Sequence, residues 1–355
     1  MLENHIAGGI YGLALGDAWG RETEFSNYDF IDEDQLEIPP ELIITDDTQM
    51  SLYVLTAIEK IVKTPGLLDQ LNEHHDDAIT KARKIFADEF LIYLNDPDNT
   101  SLRAPGITVT DSLINWEKHR AHNLPDLTGV EGALDNHSKG CGTIMRAPWI
   151  GLLNWSENLT ITLAFIQSQT THNHLAAHLS AAQGALMVHR IMAEVEKHPE
   201  NPSPKSQTQW WLETSKDVTQ KVLEVAKQLA GPSPEEQAEF ITTVKNAEKL
   251  LNDPEAKTKY NNQDLSAIFG AGWVAEQLYA TALAASTLYA DQPIEAIRSL
   301  VHTSGDSDSL AAVGGAFVGC LNGLNALGND FLNRFEPRYQ KELVEAVERV
   351  LTLRK

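Results

Sequence analysis

His302-Thr303-Ser304-Gly305-Asp306-Ser307-Asp308-Ser309 runs directly into Leu310-Ala311-Ala312-Val313-Gly314-Gly315-Ala316-Phe317-Val318-Gly319-Cys320. The second half of this stretch has no polar face from Leu310 to Leu321, so it reads as a helix buried on every side. Two carboxylates, Asp306 and Asp308, stand at its mouth. Buried acids stay ionised only when something offsets their charge. A helix N-terminus offers free N–H groups and the positive end of its dipole. Two full charges flanked by serine hydroxyls ask for more, and a metal ion meets that demand.

A second acidic cluster lies far upstream. Thr45-Asp46-Asp47-Thr48 precedes a segment in which Met50, Tyr53, Val54, Ile58 and Ile61 fall near a helical period, so Thr45 reads as a cap with both acids in the first turn. Taken singly, each cluster is explained by capping. Taken together, they describe one device used twice: an oxygen-rich start to an apolar helix. Brought together, they make an all-oxygen site suited to Mg²⁺ or Mn²⁺ rather than zinc.

The chain has 355 residues and a formal charge of −22, with no run rich in Lys or Arg. Nothing in it would track phosphates by counterion release, which argues against a nucleic-acid binder or a protein held to an anionic membrane. A phosphate-bearing substrate would have to be received by metal and backbone N–H groups. Cys141 and Cys320 both sit among small apolar residues and read as reduced thiols. No apolar run reaches membrane-spanning length and the start lacks a basic leader, so the expected location is cytoplasmic.

Helices are expected over 2–18, 46–63, 78–95, about 110–118, 159–168, from 171–174 to about 196, near 208–230 and 234–251, up to 289, 293–301 and 336–353. Gly8, Gly9, Gly12 and Gly16 weaken the first by roughly 1 kcal/mol each against Ala. That is tolerable where another backbone must come close, which places this helix at the centre. Its polar exit, Gly16 to Phe25, is a third source of acid. Asp17, Glu22 and Glu24 are the three carboxylates there. Residues 26–44 form an acidic loop, 121–139 are polar and turn-rich, and Gly140-Cys141-Gly142 is a glycine turn able to present N–H groups to an anion. Prolines punctuate 198–262, which reads as a polar helical excursion from a single domain spanning 1–355. His174 and His178 read as structural, and Cys141 as a packing residue without an activating histidine beside it. No strand pattern and no internal repeat emerge. The fold class is all-α.

Six motifs then fall in order: Gly16-Asp17-Ala18-x-Gly20-x-x-x-Glu24-Phe25, Thr45-Asp46-Asp47-Thr48, Arg103-Ala104-Pro105-Gly106, Gly140-x-Gly142-x-x-Met145-Arg146, Thr171-His172 and Gly305-Asp306-x-Asp308-Ser309. Together they resemble the ADP-ribosylglycohydrolases, the group of the dinitrogenase reductase-activating glycohydrolase, from the first helix to about residue 325. The resemblance implies a compact, orthogonally packed helical fold around a two-metal cleft. It implies one ion held by Thr45, Asp46, Asp47 and Asp308, and another by Glu24, Asp306, Asp308 and Ser309. Catalysis would fall to Asp306, Asp308, Asp46, Asp47 and Glu24. The Gly140-Cys141-Gly142-Thr143 loop would wrap the pyrophosphate and distal ribose, with Met145 closing that motif and His172 beside the adenosine. Asn is common in the family where Cys141 stands. The implied activity is removal of mono-ADP-ribose from arginine on a modified protein, by a monomer, with an ADP-ribosyltransferase as a further partner. Serine-linked or other O-linked ADP-ribose, or an antitoxin-type role, are the alternatives.

Overall fold

The computed structural model describes residues 1–122, 136–199, 202 and 208–354, so the expectations for 123–135 and most of 200–207 lie outside the described residues. The chain is all-α, 73% helical, with no β-strand among the described residues. Its helices in order are α1 (Leu2–Gly20), α2 (Asp46–Lys63), α3 (Leu67–Asn72), α4 (Asp76–Leu94), α5 (Ile107–Ala121), α6 (Pro148–Gly151), α7 (Glu157–Gln169) and α8 (Leu175–Lys197). After them come α9 (Thr208–Leu229), α10 (Pro234–Leu251), α11 (Ala256–Tyr260), α12 (Leu265–Phe269), α13 (Ala275–Leu288), α14 (Pro293–Val301), α15 (Ser307–Asn322), α16 (Leu324–Leu327) and α17 (Pro337–Leu353).

The centre of the molecule is an antiparallel pair, α1 against α15. Every residue of α15 is buried, as the absence of a polar face requires, and so is α1 from His5 to Gly20. Gly8, Gly12, Gly16 and Gly20 form a row every fourth residue that meets Gly319, Gly315, Ala311 and Ser307 in reverse order. The helices touch backbone to backbone along this seam. A Cβ at Gly16 would lie 1.9 Å from the Ala311 carbonyl oxygen, and one at Gly12 2.2 Å from that of Gly315. The helix-weakening glycines are therefore the condition for the close approach, and packing supplies the stability that propensity withholds.

Around this pair the remaining helices use ordinary amphipathic logic. Thr45 caps α2 by accepting the Asp47 N–H, and Lys60 and Lys63 oppose the dipole at its far end. The tail helix α17 buries Tyr339, Leu343, Ala346, Val347 and Val350 and leaves its charged face to water. The proline-punctuated excursion holds α9 and α10, which turn Trp211, Val218, Val222, Phe240 and Val244 inward. The helix expected from 171 begins at Leu175, with His174 as its N-cap accepting the Ala176 N–H. No helix among the described residues is long and apolar enough to cross a membrane.

Candidate active site

The antiparallel seam brings the exit of α1 and the entrance of α15 to the same end of the molecule, and α2 starts beside them. Asp17, fully buried in the last turn of α1, does the joining. Its Oδ1 accepts the Thr45 N–H at 2.9 Å and its Oδ2 the Thr48 N–H at 3.0 Å, and the Thr48 hydroxyl donates to it as well. One buried carboxylate thus takes up the free N–H groups at the start of α2 and fixes where Asp46 and Asp47 stand. A second clamp acts from outside: Arg103 donates to both oxygens of Glu336 at 2.6 and 2.7 Å, to Asp98 at 2.7 Å and to the Ile44 carbonyl at 2.8 Å. That anchors the turn running to Gly106, whose N–H donates to Asp46 Oδ2 at 3.1 Å.

The acids from the three segments meet. Oxygens of Glu24, Asp306 and Asp308 lie within 4.8 Å of one another. Ser309 Oγ stands 3.3 Å from Asp47 Oδ2, and so does Thr45 Oγ1. Asp46, Asp47, Asp306, Asp308 and Ser309 are all buried. Capping does not account for them. Thr45 is the cap of α2, and Asp306, although it occupies the N-cap position of α15, makes no capping hydrogen bond. Asp306 Oδ2 and Asp47 Oδ1 are buried with no hydrogen-bond partner. A buried carboxylate oxygen without a donor is strongly unfavourable, and the arrangement holds several acids together.

Burial is the first cause of every shift here. It raises Glu24 to about 9 and Asp17 to about 7, reinforced in both by the charge of Asp308 and opposed in Asp17 by the donors on α2. It pushes Asp46, Asp47 and Asp306 well above the carboxylate range and raises Asp308. As an isolated set these groups cannot all ionise. The unpaired oxygens, the all-oxygen donors and the crowding of like charge fit one or two divalent cations of the Mg²⁺ or Mn²⁺ kind.

Above this floor opens a cleft of about 770 Å³, ample for a nucleotide-sized ligand. All the sequence-predicted residues line it except Thr45 and Thr143. Thr45 lies beneath the acids, fully buried. Thr143 sits under the glycine loop, its hydroxyl 3.3 Å from the carbonyls of Gly140 and Ala177. The loop is held to the start of α13, with Cys141 N–H on the Trp273 carbonyl at 3.2 Å and Ala275 N–H on that of Lys139 at 2.8 Å. Gly140 N–H is likewise taken, by Ser138 Oγ. Two of the amides expected to face an anion are therefore spent inside the protein. The glycines answer instead to His172: a Cβ at Gly140 would come 3.1 Å from its Nε2, and one at Gly142 3.3 Å from its Cε1.

His172 is the wall behind the loop. Its Nδ1 meets Thr171 Oγ1 at 2.9 Å, and that hydroxyl accepts from buried Arg146 at 2.8 Å. Burial, with Arg146 nearby, holds the imidazole neutral by lowering its pKa well below the usual value. Cys141 faces Asp306, and burial together with that carboxylate keeps its sulfur a thiol rather than a nucleophilic thiolate. Lys139, the cleft's lining cation, is committed to Glu276 at 2.6 Å and Glu239 at 2.7 Å.

Sequence reasoning missed three features. Asp17 was counted only as part of an acidic exit. Its signal is an acid inside an otherwise buried helix, which has to find donors. The hub at Arg103 depends on Glu336, 233 residues away, and left no local trace. The cleft rim carries a stacked pair, Phe25 and Trp273, with ring centroids 5.4 Å apart, and Phe25 holds a left-handed φ of 65° beside Glu24. Positive φ at a bulky residue next to the acids marks a constrained turn.

Fold and site together define an all-α protein with a carboxylate-floored cleft. The family model of the ADP-ribosylglycohydrolases matches residues 1–355, and the chain belongs to that family of glycosidase-type hydrolases. Among solved structures it is similar to one described as an ADP-ribosylglycohydrolase-related protein complex, at a TM-score of 0.61 and 18% identity, over 100% of this chain and 99% of that one. At that identity the likeness speaks for the fold. Among curated proteins none matches in sequence. Family membership supports ADP-ribosylglycohydrolase activity as a class.

Proposed function

We propose that this protein is a divalent-cation-dependent hydrolase that removes mono-ADP-ribose from a modified protein side chain, with ADP-ribosyl-arginine as substrate. The bond broken is the N-glycosidic bond at ribose C1″. The observation that carries this reading is the set of acids, half-buried Glu24 at α1's exit and buried ones on α2 and α15, in which Asp47 Oδ1 and Asp306 Oδ2 have no partner among the described residues. Arginine as the acceptor is supported by the likeness of the six motifs to the dinitrogenase reductase-activating branch.

Thr45, Asp46, Asp47 and Asp308 would hold one ion, and Glu24, Asp306, Asp308 and Ser309 the other. Bound there, Mg²⁺ or Mn²⁺ would supply charge neutralisation and Lewis-acid polarisation. The residues do the rest. Asp306 and Asp308 position the attacking water on the floor, below the ribose. Asp46, oriented by the Gly106 N–H, lies where it meets the ribose hydroxyls. Breaking the bond builds oxocarbenium character at C1″, which a floor of ionised acids stabilises. The five acids titrate as a coupled set, so general-base work belongs to the set rather than to one residue. Gly140, Cys141 and Gly142, flat against His172, give the pyrophosphate and distal ribose a close approach. Met145 and His172 wall the adenosine side.

Hydrolysis of arginine-, serine- and ester-linked ADP-ribosyl peptides, each with and without Mg²⁺ or Mn²⁺, tests the reading. Release from the arginine-linked peptide only when cation is present is the expected result. Cation-independent release, or release confined to an O-linked peptide, overturns it.

A further inference from the structure

We propose that the groove between α9 and α10 binds a free α-amino acid with an apolar side chain, its carboxylate on Lys216 and Lys245 and its ammonium on Glu248. The groove has a volume of about 470 Å³, within the range of small-ligand pockets. None of the residues that line it lines the acidic cleft, so this site is separate from the carboxylate floor.

Three unmet demands coincide in the groove. The first is for a donor. Glu248 lines it and is buried, yet its Oε1 has no hydrogen-bond partner among the described residues. A buried carboxyl with an unmet oxygen costs stability that a Leu or Met in its place would not. Packing alone therefore does not explain an acid there. The second demand is for an anion. Lys216 on α9 and Lys245 on α10 are both exposed at the groove, and both bear on Glu248 through their charge. Neither reaches ion-pair distance of an acid among the described residues, in a chain with 50 Asp and Glu against 28 Lys and Arg. Where acids are in such excess, two converging cations left without a partner are open to an anion from outside. The third demand is for apolar cover. Val244 is buried, but Leu223 and Ile241 line the groove only half-buried and gain from being covered.

One compact class of molecule meets all three. An inorganic anion would satisfy the lysines and leave Glu248 Oε1 unmet. A simple amine would satisfy Glu248 and face two lysines of its own sign. An α-amino acid carries both charges on adjacent atoms, with a side chain left to lie on Leu223 and Ile241. Burial raises the Glu248 pKa, with Ser215 and the two lysines opposing the rise, and an ammonium group would draw the carboxyl back to its ionised form. The groove also reaches the cleft through α10. On another turn of that helix Glu239 holds Lys139, a residue of the cleft wall, at 2.7 Å. A ligand that braces α10 therefore braces that wall.

The test is calorimetric titration of L-leucine, L-methionine and L-phenylalanine into the full chain. At least one should bind, at a single site. Its N-acetyl derivative, which lacks the ammonium, and its amide, which lacks the carboxylate, should each bind about tenfold more weakly or worse. Lys245→Met should weaken the parent amino acid by a similar factor and weaken the amide no further. Lys245 is exposed, so this variant's melting temperature should stay within about 1 °C of wild type and exclude a folding defect. Glu248→Gln keeps the shape and removes the charge, so it should weaken the amino acid and leave its N-acetyl derivative unchanged. Binding by none of the three, an N-acetyl derivative as tight as its parent, or full affinity in Lys245→Met overturns the site.

Discussion

The α1–α15 seam and the α9–α10 layer solve the same packing problem in opposite ways. In the seam, glycines remove the side chains and two backbones meet, so α15 lies against α1 with no side chain between them. In the layer, Trp211, Val218, Val222, Phe240 and Val244 interpose their bulk, and long charged residues cover the outside. Backbone contact has no soft component, whereas side chains can shift rotamer to absorb a change. The acids of the cleft floor stand at the end of the rigid pair, where a site whose oxygens must converge on shared cations needs them. The more forgiving layer holds the polar, proline-punctuated excursion.

The largest effect expected from this division is chemical. Asp306→Asn or Asp308→Asn removes a charge from the floor while keeping its shape, and turnover should fall by roughly a thousandfold or more. Steady-state hydrolysis of an ADP-ribosyl peptide at saturating Mg²⁺ measures it. Full activity in either variant would break the link between the seam and the chemistry.

Next comes the seam itself. Gly16→Ala would put a methyl group 1.9 Å from the Ala311 carbonyl oxygen, and neither backbone can yield alone. Destabilisation of about 3 kcal/mol is expected, the upper end of ordinary overpacking, because the helices must separate along their length. For a chain of this size that lowers the melting temperature by roughly 5 °C. Cation affinity should fall with it, since α1 carries both Asp17 and the route to Glu24. A melting temperature within about 1 °C of wild type would show that the seam yields after all.

How far this could be read in advance follows from which forces act locally. The glycine row in α1 and the unbroken apolar face of α15 were legible, because a helix that weak and that apolar survives only at a centre. The pairing of Asp46 and Asp47 with Asp306 and Asp308 was legible from charge, since each set needed the same remedy. Arg103 with Glu336 was not, and neither was Phe25 with Trp273. Such pairs are set by topology, and nothing in either partner's neighbourhood names the other. His174 reads as structural, and its place as the N-cap of α8 is a structural one, while the approach of His137 and Glu236 from other parts of the chain is again set by topology.

An effect of similar size is linkage to pH. Burial gives Asp17 a folded pKa of about 7 and Glu24 one of about 9, both above the unfolded carboxylate range. The folded, cation-free protein therefore binds more protons than the unfolded chain. Stability from these groups is present at low pH and is lost as pH rises from about 4 through their folded values. In chelator, the melting temperature should drop by roughly 5 °C between pH 5 and pH 8 through these groups, and Mg²⁺ should restore most of the loss at the upper end. A cation-free melting temperature that climbs over that range would mean the acids are already neutralised by the protein.

The smallest effect is the control that completes the comparison. Gly231 lies between α9 and α10, with nothing within 4 Å of where a Cβ would stand and no left-handed φ. Gly231→Ala makes the same chemical change as Gly16→Ala, one methyl group on one glycine. In the unfolded chain it removes backbone freedom, which favours the folded state slightly, and in the folded chain it meets no atom. The net change should stay within about 0.5 kcal/mol, on the stabilising side if anything. Urea unfolding of the two variants beside wild type resolves this. A Gly16→Ala response as small as that of Gly231→Ala would mean that α1 and α15 part to admit a methyl group at no cost, and the seam would lose its claim to position the acids.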